Sequence, residues 1–204
     1  KELFYRWAMF GAFSPVMRTH HGSDECGNWA FDRDAETLAH YARYARVHTR
    51  LFPLWQWLAE RAAEFGLPLM RHPYLVEHAN PAYVAKSGPV FFVGDNLLVA
   101  PALSEGATEV DVVLPGEGWW PLFGADPIDE AAASDGTVAV TWPAPVTEIP
   151  AFVRPGTAMV LLATAPDTFY AASDSDVTTL VGTTARTVAL YPDASGAATG
   201  AGEG

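Results

Sequence analysis

Apolar side chains recur every three or four positions in the first part of the chain. Within residues 2–13, Leu3, Trp7 and Phe10 fall on one stripe, which is typical of a buried or half-buried helix. Ser14, with a proline behind it, is expected to end that helix.

A short apolar run over residues 15–22 becomes polar toward its end, where Arg18, His20 and His21 stand. This pattern predicts a strand followed by a loop that reaches about Asp32. Polar groups at the carboxyl end of a strand are where α/β barrels place their chemistry. We therefore expect candidate functional residues here.

A longer helical pattern follows this loop. Asp32 or Asp34 is suited to cap the helix at its start, and apolar residues then continue with helical spacing as far as Phe65. Pro53 is expected to kink or split the helix. Gly66 is expected to end it, because glycine accepts the left-handed conformation of a helix cap.

Beyond about residue 75 the pattern changes to short β-rich runs separated by turn sequences. Residues 115–118 and 134–136 have the Pro, Gly, Asp and Ser content typical of turns. The predicted strands are residues 90–93, 96–100, 109–114, 137–142 and 151–154, followed by 177–181 and 186–191. Together they predict an antiparallel sheet domain.

The charge pattern supports a boundary at the same place. Residues 1–72 hold nine Lys and Arg against eight Asp and Glu, whereas the rest holds three Lys and Arg against sixteen Asp and Glu and so accounts for the net charge of -12. Such a negative chain is poorly suited to bind nucleic acid or an anionic membrane, since both need a cationic face. A small neutral or polar ligand fits this charge better. Separately, no apolar run in the sequence is long enough to cross a bilayer.

Cysteine content limits the remaining possibilities. Cys26 is the only cysteine, which excludes an internal disulfide and a Cys-rich metal site. The start at Lys1 leaves open whether a leader precedes the chain. Localisation and oligomeric state are left open as well.

Ordered motifs over most of the chain resemble glycoside hydrolase family 31. The segments that carry the resemblance are residues 6–22 (RWAMFGAFSPVMRTHHG), 27–53, 66–75, 93–103, 106–120 and 143–162. The resemblance implies an α/β plus all-β fold: residues 1–78 as the C-terminal end of a (β/α)8 barrel and 79–163 as a proximal antiparallel β-sandwich. Residues 164–204 would be the start of a further β-module or a frayed tail.

The resemblance also implies a retaining α-glycosidase, which needs no cofactor or metal and acts on a carbohydrate substrate, an α-glycoside. An α-glucosidase ranks first, with a sulfoquinovosidase or α-xylosidase as further possibilities. Its two catalytic Asp residues would lie upstream of this chain, because a retaining enzyme needs two carboxyl groups about 5 to 5.5 Å apart and no such pair is recognisable here. No residue of this chain is therefore assigned as catalytic.

Two substrate-binding residues are implied by the family's Arg-x-His motif, which is Arg18-Thr19-His20 here. His20 would hydrogen-bond ring hydroxyls of the sugar whose bond is cut, and Arg18 would orient nearby carboxylates. The alternatives are a structural histidine and an ordinary structural ion pair. Trp29 is either a sugar platform or an anchor of its loop.

Other polar residues have simpler interpretations. Acidic residues near the predicted strand and helix are expected to cap or to be solvated: Asp24, Glu25, Asp32, Asp34 and Glu36. A metal site at His20 and His21 lacks a third ligand. A different class of function also stays open, in which the chain is a non-catalytic carbohydrate-binding or structural β-module, although a free module would not be expected to begin with barrel-like helices.

Overall fold

The computed structural model describes residues 1–20, 23, 27–169, 173, 175–180 and 185–200. Five helices come first along the chain. They are α1 (Glu2–Ala12), α2 (Ala35–Arg50), α3 (Phe52–Phe65), α4 (Pro73–Glu77) and α5 (Pro81–Lys86).

The long helical pattern is split as predicted. Asp34 caps α2, since its carboxylate accepts a hydrogen bond from the Thr37 amide at 2.7 Å. Leu51 separates α2 from α3, and Pro53 occupies the first turn of α3, where its missing N–H costs no hydrogen bond. Gly66 ends α3 with a φ of 71°, which confirms the predicted glycine cap.

Strands dominate the second part of the chain. They are β1 (Met70–Arg71), β2 (Phe91–Val93), β3 (Leu97–Val99), β4 (Glu109–Pro115), β5 (Trp120–Pro121), β6 (Thr137–Pro143), β7 (Ala151–Val153), β8 (Thr157–Leu162), β9 (Arg186–Tyr191) and β10 (Thr199–Gly200). They form a five-stranded sheet of order β1-β2-β3-β7-β5, a three-stranded sheet of order β10-β8-β9 and a β4-β6 pair. All pairings are antiparallel except that of β10 with β8.

Six of the seven strands predicted beyond residue 75 form with bounds within one residue of those expected. In the seventh, residues 177–181, the described part makes a single bridge between Thr179 and Thr168. The prediction of a strand over residues 15–22 is wrong for the described residues 15–20, which pair with no described strand. The Ser14 hydroxyl instead contacts the carbonyls of Gly11 and Val16, so the chain turns as it leaves α1.

Two hydrophobic clusters fill the interior. The first joins the helices to the five-stranded sheet and includes Met9, Leu51 and Val153, and the second lies around Phe92 and Trp119. Leu51, at the break between α2 and α3, is only 2% exposed because it packs into the first cluster.

The apolar stripe of α1 does not lie in this core. Leu3 and Trp7 are 71% and 64% exposed, and Val16 beyond the helix is 72% exposed. The buried face of α1 is instead formed by Tyr5, Ala8, Met9 and Ala12. The stripe predicted from the sequence as buried or half-buried is therefore largely exposed in this chain.

The turn between β2 and β3 predicts a measurable packing effect. Gly94 has a φ of 62°, and an added Cβ would lie 2.9 Å from Cδ2 of the buried Leu58 on α3. Gly88 has a similar φ of 64° with nothing within 4 Å. We expect Gly88→Ala to lower the free energy of unfolding by about 1 kcal/mol and Gly94→Ala by about 1 to 2 kcal/mol more, because overpacking adds to the backbone penalty.

Chemical denaturation of both variants would measure the difference. Equal losses would mean that Leu58 moves aside without cost, so that the turn does not fix how α3 meets the sheet.

Candidate functional site

A pocket of about 350 Å³ lies between α1, the segment of residues 14–20, residues 28–31 and one side chain of α2. Its walls are largely aromatic. The aromatic lining residues are Phe4, Trp7, Phe10, Trp29, Phe31 and Tyr41. The polar lining residues are Ser14, Arg18, Thr19, His20 and Asn28, and all but Ser14 are exposed to solvent.

Arg18 and His20 form a hydrogen-bonded pair within this lining. Nη2 of Arg18 lies 2.9 Å from Nδ1 of His20. A guanidinium has no acceptor, so Arg18 donates and Nδ1 of His20 accepts. The proton of a neutral His20 ring is therefore on Nε2, which is the nitrogen left to act as a donor.

Thr19, between these two residues, lines the pocket together with Tyr41 of α2. The Tyr41 ring packs on Phe4 and Phe31, with centroid distances of 6.0 and 5.7 Å. Burial raises the pKa of Tyr41 above its usual value of 10.0, so the phenol stays neutral and keeps its proton for hydrogen bonding.

Trp29 is both anchored and part of the pocket. Its indole N–H donates to the hydroxyl of Thr37 at 3.1 Å. The guanidinium of Arg33 lies 5.8 Å from the ring centroid, a cation–π distance. The structure therefore supports the anchoring interpretation, while the ring remains a pocket wall.

Two of the acidic residues near the pocket, Asp34 and Glu36, have structural partners. Asp34 caps α2, and Lys1 pairs with both Asp34 and Glu36. Hydrogen bonds from Thr37 and Lys1 lower the pKa of Asp34, which fits a cap and not a proton donor. Asp24 and Glu25 lie outside the described residues, as do His21 and Cys26.

Two histidines of α2 hold α1 in place. His40 stacks on Tyr5 at a centroid distance of 3.9 Å, and its Nε2 lies 3.2 Å from the Tyr5 carbonyl. His48 Nδ1 lies 3.3 Å from the carbonyl of Ala12. Since carbonyls only accept hydrogen bonds, each imidazole donates one. Helix α2 is therefore hydrogen-bonded to α1 at two points, Tyr5 in its first half and Ala12 at its end.

Three further aromatic and histidine residues have structural contacts. Trp119 is buried and donates to the carbonyl of Pro115, and Trp55 is buried in the first cluster. His72 caps α4 by accepting from the Tyr74 amide. Trp7 was expected in a core or interface, but it lies exposed at the pocket.

Only part of the pocket lining could be predicted from the sequence. Arg18, His20 and Trp29 were named from the sequence, whereas Phe4, Phe31 and Tyr41 were missed. Phe4 and Tyr41 belong to helical patterns that look like ordinary core packing. The available signal was that α1 carries more apolar positions than one buried face can take, which leaves some for a second surface.

Neither a metal centre nor a membrane span is found in the part of the chain that the structure describes. No three His, Cys, Asp or Glu side chains come together there as potential metal ligands. None of the described helices is both long and apolar enough to span a bilayer.

Sequence comparison places this site within a known family. The TIM-barrel domain model of the glycosyl hydrolases of family 31 matches residues 1–58, and the family's C-terminal domain model matches residues 66–159. The chain belongs to glycoside hydrolase family 31. The pocket lies wholly within the part that matches the TIM-barrel domain.

Individual relatives are glycosidases of more than one specificity. The chain is 37% identical over 154 residues to a sulfoquinovosidase from Escherichia coli, which covers 76% of this chain and 22% of the relative. It is 36% identical over 121 residues to an alpha-glucosidase from Schizosaccharomyces pombe, which covers 57% and 12%.

A solved structure gives the same assignment. The dextranase of family 31 from Flavobacterium johnsoniae, solved with isomaltotriose, superposes with a TM-score of 0.70 at 29% identity over 95% of this chain and 22% of that chain. This chain thus spans about a fifth of the length of these proteins, and less of the alpha-glucosidase.

The two helix-bridging histidines predict acid sensitivity. Burial lowers the pKa of His40 and of His48 below the usual value of 6.5, against the opposing effect of their carbonyl partners. Arg43 lowers the pKa of His40 further, and Glu36 raises it. Below about pH 6.5 the unfolded chain then binds more protons than the folded chain, so the free energy of unfolding should fall as pH falls.

The free energy of unfolding should fall by at most about 1.4 kcal/mol per pH unit for each histidine. Chemical denaturation between pH 7.5 and 5.5 measures this fall. His40→Gln and His48→Asn place a non-titrating amide donor near the original nitrogen, so the double variant should show a flatter pH dependence. An unchanged slope would contradict the assignment of these two histidines.

Proposed function

We propose that this chain is part of a retaining α-glycosidase that hydrolyses terminal α-linked sugars and that the pocket binds the sugar whose bond is cut. The observation that carries the proposal is the Arg18–His20 pair at an aromatic pocket, in a segment that matches the TIM-barrel domain of family 31. Aromatic walls with a small number of polar groups are typical of small-ligand sites.

His20 supplies the directional contact. Because Arg18 occupies Nδ1, the Nε2–H of His20 is the group that donates to a sugar hydroxyl. Such a bond can strengthen as the oxocarbenium-like transition state develops. Arg18 sets the tautomer of His20, a role beyond the ion pair with a carboxylate that the sequence suggested.

The aromatic side chains supply the non-directional contact. Trp29 is held by Thr37 through its N–H, so its ring can serve as a wall without needing a further partner. Pyranose C–H groups pack against aromatic faces, and the exposed Trp7 offers a second such surface.

The reaction itself needs two carboxyl groups about 5 to 5.5 Å apart. We assign none of the described acidic residues to this pair, since Asp34 is a helix cap and Glu36 is paired with Lys1. The nucleophile and the general acid are therefore assigned to the part of the complete protein that precedes this chain.

The proposed architecture follows the sequence boundaries. Residues 1–78 contribute the end of the catalytic (β/α)8 barrel, 79–163 a proximal antiparallel β-sandwich and 164–204 the beginning of a further β-module or a tail. The exposed Leu3 and Val16 support the barrel assignment, because they offer an apolar face for the rest of a barrel to cover.

The first substrate candidate is an α-glucoside. A sulfoquinovoside is the second candidate. It is supported by the match to a sulfoquinovosidase, which extends over 154 residues, whereas the match to the alpha-glucosidase from Schizosaccharomyces pombe extends over 121 residues at nearly equal identity. An α-xyloside is the third. Comparing hydrolysis of aryl α-glucoside, α-sulfoquinovoside and α-xyloside by the complete protein would rank the three.

His20→Ala in the complete protein should lower kcat/KM for its best aryl α-glycoside by about 10- to 1000-fold. This corresponds to about 1.5 to 4 kcal/mol, from one lost hydrogen bond to a sugar hydroxyl left unpaired in a desolvated pocket. His20→Gln keeps an amide donor and should recover part of the loss. If the bond tightens in the transition state, kcat falls as well as kcat/KM.

His78→Ala is the matched control, since His78 is exposed beyond α4 and outside the pocket. It should change kcat/KM by less than about threefold. Equal losses in both variants, or a lower melting temperature for His20→Ala with intact kinetics, would make His20 a structural histidine.

The 204-residue chain alone should not hydrolyse aryl α-glycosides, because general acid and nucleophilic chemistry require the carboxyl pair assigned elsewhere. A sensitive fluorogenic glycoside would detect residual turnover. Turnover that disappears when Asp32 or another acid of this chain is replaced would move the catalytic pair into the chain.

A further inference from the structure

A buried hydroxyl contacts the aromatic wall of the pocket from behind the lining. Thr37 of α2 is 0% exposed and is not itself a lining residue. Its Oγ1 accepts a hydrogen bond from the indole N–H of Trp29 at 3.1 Å and a longer one from the hydroxyl of Tyr5 at 3.4 Å. A threonine oxygen has two lone pairs, so it can accept from both donors. This hydroxyl therefore joins α1 and the loop of Trp29 to the start of α2.

The position of the Thr37 hydroxyl is fixed by the helices around it. Its residue lies in the first turn of α2, where the Thr37 amide donates to the capping carboxylate of Asp34 at 2.7 Å. Threonine is branched at Cβ, so few side-chain rotamers are open to it within a helix. The second donor, Tyr5, is buried and stacks on His40 at a centroid distance of 3.9 Å. The oxygen that receives the indole N–H therefore belongs to a rigid part of the molecule.

Trp29 depends on this contact more than the aromatic pocket residues of α1 and α2 do. It lies outside the helices and strands, and its ring is half-buried. The cations of Arg33 and Lys1 lie 5.8 and 5.9 Å from its ring centroid, but both side chains are exposed. Long exposed side chains keep much of their rotamer freedom, so they fix a partner weakly. The bond to Thr37 is the contact of Trp29 that ends on a buried, rigidly held atom.

We propose that Thr37 is a positioning residue for the site: its hydroxyl sets the orientation of the Trp29 ring and thereby the shape of one wall of the pocket. Thr37 acts through Trp29 and does not touch the sugar. Its effect on catalysis rests on the proposed function, whereas its effect on the Trp29 ring does not. An aromatic wall packs on the sugar both before and during the reaction, so a misplaced wall should weaken binding without slowing bond cleavage.

The test uses Thr37→Val, which keeps the shape of the side chain and the backbone cap but removes the hydroxyl. Thr37→Ser keeps a hydroxyl at the same place and should behave like the wild type. Thr49→Val makes the same substitution near the other end of α2, outside the pocket, and is the matched control. Tyr5→Phe removes only the longer of the two bonds to Thr37, so it should leave Trp29 in place.

The first readout is the ¹⁹F resonance of Trp29 in the complete protein labelled with fluorotryptophan, assigned by its loss in Trp29→Phe. Thr37→Val should shift or broaden this resonance, because the indole N–H loses its fixed partner. The three other variants should leave it unchanged. The resonance of Trp120 is the internal reference, since its indole donates to the carbonyl of Pro192 at 2.9 Å and its ring does not line the pocket.

The second readout is kinetic and also uses the complete protein. Thr37→Val should raise KM for the best aryl α-glycoside by about twofold to tenfold and change kcat by less than about twofold. This pattern differs from that of His20→Ala, for which kcat should fall. In a Trp29→Phe background, Thr37→Val should have little further effect on KM, because phenylalanine has no N–H to lose.

The outcomes separate the inference from the function. An active protein in which Thr37→Val leaves the Trp29 resonance or KM unchanged overturns the positioning role and leaves the function standing. An equal shift of the resonance in Thr37→Ser, Thr49→Val or Tyr5→Phe also overturns it, because the shift would then not come from the hydroxyl. A complete protein that hydrolyses no α-glycoside removes the function, whereas a Trp29 resonance that shifts only in Thr37→Val still supports the positioning of the ring.

Discussion

The position of α1 is the constraint on which the rest of the site depends. This helix supplies Phe4, Trp7 and Phe10 to the pocket and leads directly into the segment of Arg18 and His20. On one side it is bonded to α2 through the imidazoles of His40 and His48. A shift of α1 would move the pocket wall and the start of the polar segment together.

The other side of α1 is tied to the β-rich part of the chain. Arg6 donates to the carbonyl of Ala107 at 2.7 Å, and the carboxylate of Glu2 accepts from the amide of Gly106 at 2.9 Å and from Arg6 at 2.7 Å. These bonds join the first helix to the loop before β4, about a hundred residues away in sequence. The β-rich part therefore helps to orient a helix that carries pocket residues, which gives it a mechanical role even though it contributes no side chain to the pocket.

Much of the fold could be predicted from the sequence, because it depends on local signals. The Asp34 cap, the break at Pro53 and the glycine cap at Gly66 are each set by one residue and its neighbours. The strand over residues 15–22 was not correct for its described part, since an apolar run specifies a strand only when a partner is available for its hydrogen bonds. The short strand β8 was missed in a stretch read only as part of the family resemblance.

The pocket residues also differ in how far the sequence could predict them. Arg18 and His20 were found because they belong to a short motif, which can be recognised in a sequence without knowledge of the fold. Tyr41 was not found, because its place in the pocket lining depends on the packing of its ring on Phe4 and Phe31, which periodicity cannot express. The same applies to His40 and His48, whose partners are backbone carbonyls of α1 and so leave no residue-type signal.

The hydrogen bonds around the site differ in how firmly they hold their partners. The buried imidazole of His40 and the half-buried imidazole of His48 hold α1 within a close-packed core, where movement is costly. The Arg18–His20 bond lies in the exposed segment that follows α1, so it holds the His20 ring with fewer buried contacts. In the proposed function, the His20 ring can therefore adjust to a sugar hydroxyl by small movements, while the aromatic walls of the pocket stay in place.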